Sequence, residues 1–92
     1  MLIKWSDNAL IDLDIIVRYI FQHNPVAALE IEELILDSVQ NLGTTPYIGR
    51  IGQVFGTREL VVHPNYMIVY CINDHMLEIA AIVHTKRHYP SP

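Results

Sequence analysis

The sequence of 92 residues contains a single cysteine, Cys71, so no disulfide can form within the chain. Basic residues are also few: six lysines and arginines stand against ten acidic residues, and the formal net charge is −4. Because affinity for nucleic acid comes largely from lysine and arginine, we expect no direct nucleic-acid binding. No apolar run approaches the roughly 18 residues of a membrane helix, and the first residues lack a secretory signal pattern. These absences predict a cytoplasmic protein that does not contact a membrane.

Apolar residues are abundant, in contrast. They make up 51% of the chain, which is above the usual roughly 45–50%. The length predicts one domain over residues 1–92, and a domain of this size buries only roughly 60–65% of the surface of its unfolded chain. We therefore expect apolar surface to remain for a partner to cover.

Two helices are predicted in the first half of the chain, after a short strand at residues 2–5. Ser6 is a favoured N-cap and begins a first helix over about 7–23. Asn24-Pro25 ends that helix and begins a second over about 25–42, because Asn caps well and Pro is tolerated at the first helical position. The two helices therefore form a hairpin with a very tight connection.

Each helix carries apolar residues at helical spacing, which predict its buried face. In the first helix these are Ala9, Leu10, Leu13, Ile16, Val17, Ile20 and Phe21, and a second stripe, Ile11, Ile15 and Tyr19, is expected to pack on another side. In the second helix they are Ala27, Ala28, Ile31, Leu34, Ile35, Val39 and Leu42, followed by Gly43 as the stop signal. Leu29 and Leu36 lie outside these stripes, so either a loop or the tail covers them or they contact a partner.

The second half predicts an antiparallel meander of three strands. The segment 44–56 has the Gly and turn residues of a loop, with a strand beginning near Gln53-Val54-Phe55. Strands follow over 57–63, 66–72 and 76–84, and alternation places Leu77, Ile79, Ala81 and Val83 towards the helices. The order β-α-α-β-β-β defines an α+β fold, with an N-terminal edge strand and an αα-hairpin packed on one face of the meander. The other face is partly apolar and has no sequence left to cover it.

Several segments carry a family pattern in their order and spacing. They are Asp12-Leu13, Tyr19-Ile20, Asn24-Pro25, Ala27-Ala28, Pro46, Gly49-Arg50, Gly52, residues 56–60, residues 66–70, His84, Arg87 and Pro90. On these residues the chain resembles the RelE/ParE toxins of type II toxin–antitoxin systems over essentially its full length, and the ParE branch more closely. The resemblance implies a toxin that a cognate antitoxin neutralises within a hetero-oligomer. The sequence contains no phosphate loop or similar motif, so we expect no cofactor.

The resemblance leaves two activities open. RelE-like members cleave ribosome-bound messenger RNA, which needs a base, a cation and an acid around one phosphate. Here the positions that match such a set are Arg58, His84 and Arg87, with Tyr89 or His88 nearby. ParE-like members poison DNA gyrase without hydrolysing RNA.

Two features favour the gyrase target. The chain is acidic, and the loop between Gly43 and Thr57 holds Arg50 as its only charged residue, in place of a lysine cluster. We therefore predict a ParE-like inhibitor of DNA gyrase, with a ribosome-dependent endoribonuclease as the alternative and a decayed toxin that only binds its antitoxin as a third possibility. The expected partner-binding residues are Leu29, Leu36, Arg50, Arg58, His84 and Arg87.

Structural roles compete with these assignments. Arg58-Glu59 could pair with acidic residues of the first helix, a contact of only roughly 0–1 kcal/mol if exposed. His84 could be a strand-end residue that bonds to the backbone. Cys71, His63, His84 and His88 lack ligand-like spacing, so we expect no metal site.

Overall fold

The computed structural model describes residues 1–87 and 89–90. Within this part of the chain, two helices and five strands follow one another as β1 (Leu2–Trp5), α1 (Asp7–His23), α2 (Pro25–Leu42), β2 (Arg50–Ile51), β3 (Thr57–His63), β4 (Tyr66–Asn73) and β5 (Met76–His84). The α+β fold and the bounds of both helices are confirmed.

The strands form one sheet in the order β1-β5-β4-β3-β2. The N-terminal strand β1 lies at an edge, as predicted, and runs parallel to β5. The remaining neighbours are antiparallel.

The short strand β2 corrects one prediction. It lies at Arg50–Ile51 and pairs with β3, so the strand expected near Gln53-Val54-Phe55 was wrong. Gly52 donates to the Thr57 carbonyl at 2.8 Å and Thr57 donates to the Val54 carbonyl at 3.1 Å, which closes residues 52–57 into a tight turn. Gly56 has a φ of 85° in this turn, a conformation that glycine adopts without strain.

Single residues set the ends of the helices. The Ser6 hydroxyl accepts from the amide of Ala9 and donates to the carbonyl of Ala80, both at 3.0 Å, so it caps α1 and ties it to β5. The Asn24 amide N–H donates to the Ile20 carbonyl at 2.8 Å, while its side chain accepts from the Ala27 amide at 3.1 Å. One residue therefore ends α1 and begins α2.

The main core lies between the helix hairpin and the sheet. Its buried members are Ala9, Leu13, Ile31, Ile35, Val39, Leu42, Tyr66, Ile68, Tyr70, Leu77, Ile79 and Ile82. The predicted stripes were too wide, because Leu10, Phe21 and Leu34 are partly exposed, as are Ile11, Ile15 and Tyr19 of the second stripe. The hairpin packs on the sheet as a single layer, so only a narrow sector of α1 contacts α2 and the sheet.

A second, smaller core covers part of the opposite face of the sheet. Met67, Val69 and Val83 are buried there, with Ala80, Ala81 and Tyr89 packed against them. The expectation that this face lacks cover was therefore wrong in part: Tyr89 packs against the buried residues, whereas Val61 on the same face stays 49% exposed.

A β-bulge explains another wrong prediction. The register of β4 and β5 shifts between Val69 and Tyr70, so Tyr70 faces Ile79 whereas Val69 faces Ala81. The shift turns Ala81 and Val83 away from the helices and brings Ile82 towards them.

Candidate partner-binding surfaces

A groove with a volume of about 760 Å³ lies between the helix hairpin and the tip of the β3–β4 turn, and we refer to it as the helix-side groove. The helices contribute Asp12, Ile15, Ile16, Tyr19, Ile20, Ala27 and Ile31. The sheet and the segment after it contribute His63, Asn65, Tyr66, Ile82, His84 and Arg87. The groove thus has a mostly apolar helical wall and a more polar wall opposite.

Asp12 anchors the helical wall to the sheet. Its carboxylate oxygen accepts from the amide of Ile82 at 3.0 Å, and the Ser6 hydroxyl donates to the nearby Ala80 carbonyl. The paired part of β5 along β1 ends at Ile79. Beyond Ile79, the edge of β5 is therefore bonded to α1 and its N-cap instead of to β1. This placement of α1 forms one wall of the groove.

The two histidines of the polar wall are oriented by backbone amides. The Nδ1 atom of His63 accepts from the Asn65 amide, and Nδ1 of His84 accepts from the Lys86 amide, both at 3.1 Å. The Tyr66 ring contacts both imidazoles, at centroid distances of 5.9 Å and 5.3 Å. An Nδ1 atom that accepts carries no proton, so each neutral ring holds its proton on Nε2. The predicted alternative for His84, a strand-end residue bonded to backbone, is confirmed.

Burial raises the pKa of Tyr66, and nearby Tyr19 raises it further. The phenol is therefore uncharged at neutral pH and acts as an apolar ring with a hydroxyl at the centre of the polar wall.

On the other face of the sheet is a recess with a volume of about 350 Å³, the outer-face recess. It is lined by Arg50, Gln53, Val61, Pro64, Met67, Thr85, Arg87 and Tyr89. Burial raises the pKa of Tyr89, as do the charges of Glu59 and Asp12, so this phenol also keeps its proton.

Glu59 holds Arg50 in this recess. Its carboxylate accepts from Nε of Arg50 at 3.1 Å and from the Gln53 amide at 3.0 Å. The Glu59 side chain is 2% exposed, whereas that of Arg50 is 63% exposed. The buried carboxylate therefore fixes one side of the guanidinium and leaves the other side accessible to a partner.

Arg58 has a structural role in the loop before β2. It donates to the carbonyls of Gly49 at 2.7 Å and Tyr47 at 3.3 Å, and its guanidinium lies 5.1 Å from the centroid of the Tyr47 ring. The expected pairing of Arg58-Glu59 with acids of the first helix was wrong, because both residues bond to the loop. Arg58 lines a third recess, of about 490 Å³, together with Phe55 and other loop residues.

The four candidate catalytic residues lie in different recesses. His84 and Arg87 line the helix-side groove, and Arg87 and Tyr89 line the outer-face recess. Arg58 lines neither. None of these three recesses holds all four, and His88 lies outside the described residues.

Of the predicted partner-binding residues, Leu29 and Leu36 lie on the outer side of α2. They are 59% and 44% exposed, so the described part of the chain does not cover them. Sequence reasoning missed Tyr66 and Glu59 as parts of the two surfaces. The sequence held one signal for Glu59. It is an acidic residue within a strand, and the loop before that strand contains one charged residue, Arg50, which could pair with it.

The described residues contain no group of three or more His, Cys, Asp or Glu side chains that could hold a metal ion. Neither helix is long and apolar enough to cross a membrane.

Comparisons with known proteins agree with this architecture. Residues 3–89 match the model of a family described as the ParE toxin of the type II toxin–antitoxin system parDE. The chain is 35% identical to toxin RelE2 of Caulobacter vibrioides, over 92% of this chain and 96% of the relative. It is 36% identical to putative toxin Y4kP of Sinorhizobium fredii, over 96% and 92% of the two chains.

Two solved structures share the fold. A chain from the chromosomal ParDE system of P. aeruginosa superposes with a TM-score of 0.84 at 24% identity, covering 94% of this chain and 97% of that one. The YoeB/ParE toxin from Agrobacterium tumefaciens superposes with a TM-score of 0.67 at 20% identity, covering 97% and 100%.

The fold and the matched residues define a small toxin of the RelE/ParE superfamily. Within it, the chain belongs to the ParE toxin family of type II toxin–antitoxin systems.

Proposed function

We propose that this chain is a cytoplasmic, single-domain toxin that inhibits DNA gyrase and that a cognate antitoxin neutralises in a hetero-oligomer. The separation of the candidate catalytic residues supports gyrase as the target. A nuclease must bring a base, a cation and an acid to one phosphate, and here Arg58 is held by the carbonyls of Tyr47 and Gly49 in a different recess from His84 and Arg87. The net charge of −4 also disfavours RNA as the substrate.

The outer-face recess is the proposed contact with gyrase. Arg50 is fixed by buried Glu59 yet 63% exposed at its side chain, so it presents a pre-oriented cation. Arg87 and Tyr89 line the same recess. Pre-oriented arginines and tyrosines are the side chains that contribute most to protein–protein affinity.

The helix-side groove is the proposed antitoxin site. Its apolar helical wall suits a segment that orders on binding, and Leu29 and Leu36 offer further exposed apolar contacts on α2. Arg87 lines both the groove and the outer-face recess. An antitoxin segment in the groove would therefore cover a residue that gyrase needs, which supports neutralisation by direct competition.

The test is a supercoiling assay with purified gyrase and purified toxin. We expect inhibition by the wild-type toxin and at least a tenfold loss of potency for Arg87→Ala and for Arg50→Ala/Glu59→Gln, equal to about 1.4 kcal/mol of lost contact each. The Glu59→Gln change is included because Arg50→Ala alone would leave the buried Glu59 carboxylate without its cation. Arg18→Ala is the matched control, because Arg18 is exposed and, among residues 1–87 and 89–90, pairs only with Asp14 on α1. Equal losses in all three variants would contradict the assignment of the recess.

The endoribonuclease alternative rests on one observation. The outer-face recess brings two cations, Arg50 and Arg87, together with the protonated phenol of Tyr89, which could act as an acid. Primer extension on message from toxin-expressing cells distinguishes the two functions. Cuts positioned on codons that disappear in Tyr89→Phe and Arg87→Ala would establish the nuclease and exclude gyrase as the primary target.

A further inference from the structure

We propose that Phe55, at the tip of the turn between β2 and β3, is an anchor that inserts into an apolar pocket of DNA gyrase. This inference rests on the proposed function, and it adds a contact that lies outside the outer-face recess and the helix-side groove. We refer to residues 52–57 as the β2–β3 turn, and to the recess of about 490 Å³ beside it as the loop recess.

The ring of Phe55 projects into solvent. Its relative exposure is 103%, the highest among the large apolar side chains of the described residues, so none of these residues packs on it. Tyr47 and Ile51 line the loop recess together with Phe55 and are 65% and 74% exposed. A cluster of exposed apolar residues marks an interaction surface, whereas single scattered ones do not. The fold gains no packing from a phenylalanine at this position, which points to a role in binding.

Hydrogen bonds on both sides of the tip hold the β2–β3 turn. After the tip, the amide and the hydroxyl of Thr57 both donate to the Val54 carbonyl, at 3.1 Å and 2.6 Å. Before it, the Gln53 amide donates to the buried carboxylate of Glu59 at 3.0 Å. None of these bonds involves the side chain of Phe55. A side chain on a turn that is already ordered costs less conformational entropy to bind than one on a flexible loop.

Continuity with the outer-face recess, the proposed contact with gyrase, indicates which partner reaches Phe55. Gln53 lines both that recess and the loop recess, so the two are adjacent. The helix-side groove is remote, because it is lined by His63 at the end of β3, whereas the turn leads into β3 at Thr57. An extended strand spans about 20 Å between these two positions. A protein seated on the outer-face recess therefore reaches the turn, whereas a segment confined to the groove does not.

The chemistry of the turn favours an apolar protein pocket over nucleic acid. Residues 52–57 carry no charge. Arg58 is the only charged residue that lines the loop recess, and its guanidinium donates to two carbonyls of the preceding loop. Stacking of Phe55 on a nucleotide base would need neighbouring cations to hold the phosphates, and the turn has none. An aromatic side chain that fills a pocket of the partner is, in contrast, a common anchor of protein interfaces.

The test is the affinity of toxin variants for purified DNA gyrase, measured by surface plasmon resonance. Phe55→Ala should weaken binding at least thirtyfold, equal to about 2 kcal/mol, because it removes the ring that fills the pocket. Phe55→Ser is an independent second variant with the same expected loss. Phe55→Leu keeps a large apolar side chain and should recover most of the affinity.

The second phenylalanine of the chain provides the matched control. Phe21 is 52% exposed on α1 and lines none of the three recesses, so Phe21→Ala should leave the affinity for gyrase unchanged. A thermal melt of each variant checks the fold. The variants at Phe55 should melt with the wild type, because the substituted ring has no packing to lose.

The two proposals fail in different ways. If the wild-type toxin binds gyrase and both Phe55→Ala and Phe55→Ser bind as tightly, the anchor is overturned and the gyrase function stands. If the wild-type toxin does not bind gyrase, both are overturned. An equal loss in Phe21→Ala would show that the effect is not specific to the turn, and it would also overturn the anchor.

Other occupants of the turn give results of their own. A loss of affinity for the cognate antitoxin in Phe55→Ala, with gyrase binding unchanged, would assign the turn to the antitoxin and overturn the inference. Sedimentation velocity of the toxin alone tests for a second copy of this chain. A wild-type dimer that Phe55→Ala converts to a monomer would show that the second copy covers the ring, and this result would overturn the inference as well.

Discussion

The hydroxyl of Tyr70 holds the loop before β2, and its removal is a sharp test of how this region is stabilised. Tyr70 is fully buried, donates to the Pro46 carbonyl at 2.7 Å and accepts from the Gly49 amide at 3.0 Å. Tyr70→Phe removes one oxygen, leaves the ring packing intact and strands both backbone groups. Each loss costs about 1–2 kcal/mol in a buried site, so we expect a destabilisation of about 2–4 kcal/mol.

Urea denaturation followed by circular dichroism measures this loss directly. At about 4–8 °C per kcal/mol for a domain of this size, a loss of about 3 kcal/mol also lowers Tm by roughly 12–24 °C. Tyr47→Phe is the matched control, because Tyr47 is 65% exposed and should change the free energy of unfolding by less than about 0.5 kcal/mol. A loss below about 1 kcal/mol for Tyr70→Phe would refute the argument that this phenol secures the loop.

Three further predictions test other contacts. Arg50→Ala should lower the free energy of unfolding by about 1–2 kcal/mol, because it leaves the buried Glu59 carboxylate with the Gln53 amide as its remaining donor, and Arg50→Ala/Glu59→Gln should recover most of that loss; a double variant less stable than the single one would contradict this. Ser6→Ala should cost about 1 kcal/mol by the loss of the helix cap, with a further loss from the bond to Ala80, and an unchanged urea midpoint would exclude both roles. Burial, with a smaller contribution from a nearby acidic side chain, raises the pKa of the Cys71 thiol. Less of it is therefore thiolate, so iodoacetamide at pH 8 should react more slowly with the folded chain than with the chain in urea, and equal rates would contradict this.

The helical half of the fold could be predicted because its signals are local. Ser6 and Asn24-Pro25 satisfy or remove amide donors at helix starts through their own side chains, and they do so in the structure as the sequence indicates. The width of the buried stripe could not be predicted in the same way. Whether Phe21 or Tyr19 is covered depends on how many layers pack on α1, and hydrophobic spacing carries no information about that.

The sheet shows where sequence reasoning fails for a physical reason. Alternation assigns faces correctly only while the register is constant, and the bulge beside Val69 reverses it for Ala81 and Val83. The helix α1 stabilises this bulge from a distance in sequence, since Ser6 bonds to the Ala80 carbonyl and Asp12 to the Ile82 amide. Contacts between residues some 70 positions apart leave no periodic pattern. The same holds for Tyr89, whose contact with Met67, Val69 and Val83 covers part of the second face.

The partial cover of the outer face by Tyr89 changes where a partner can act. The larger exposed apolar surface lies on the helix side, in the groove and on the outside of α2, whereas the outer-face recess is mainly a cationic and phenolic surface around Arg50. Such surfaces suit different partners, since apolar grooves favour a segment that folds on binding and fixed charges favour a preformed protein surface. Arg87 borders both, so the two proposed binding events would be linked through one side chain. Under the proposed assignment, an antitoxin in the groove need not cover the outer face, because its capture of Arg87 would remove a contact proposed for the target.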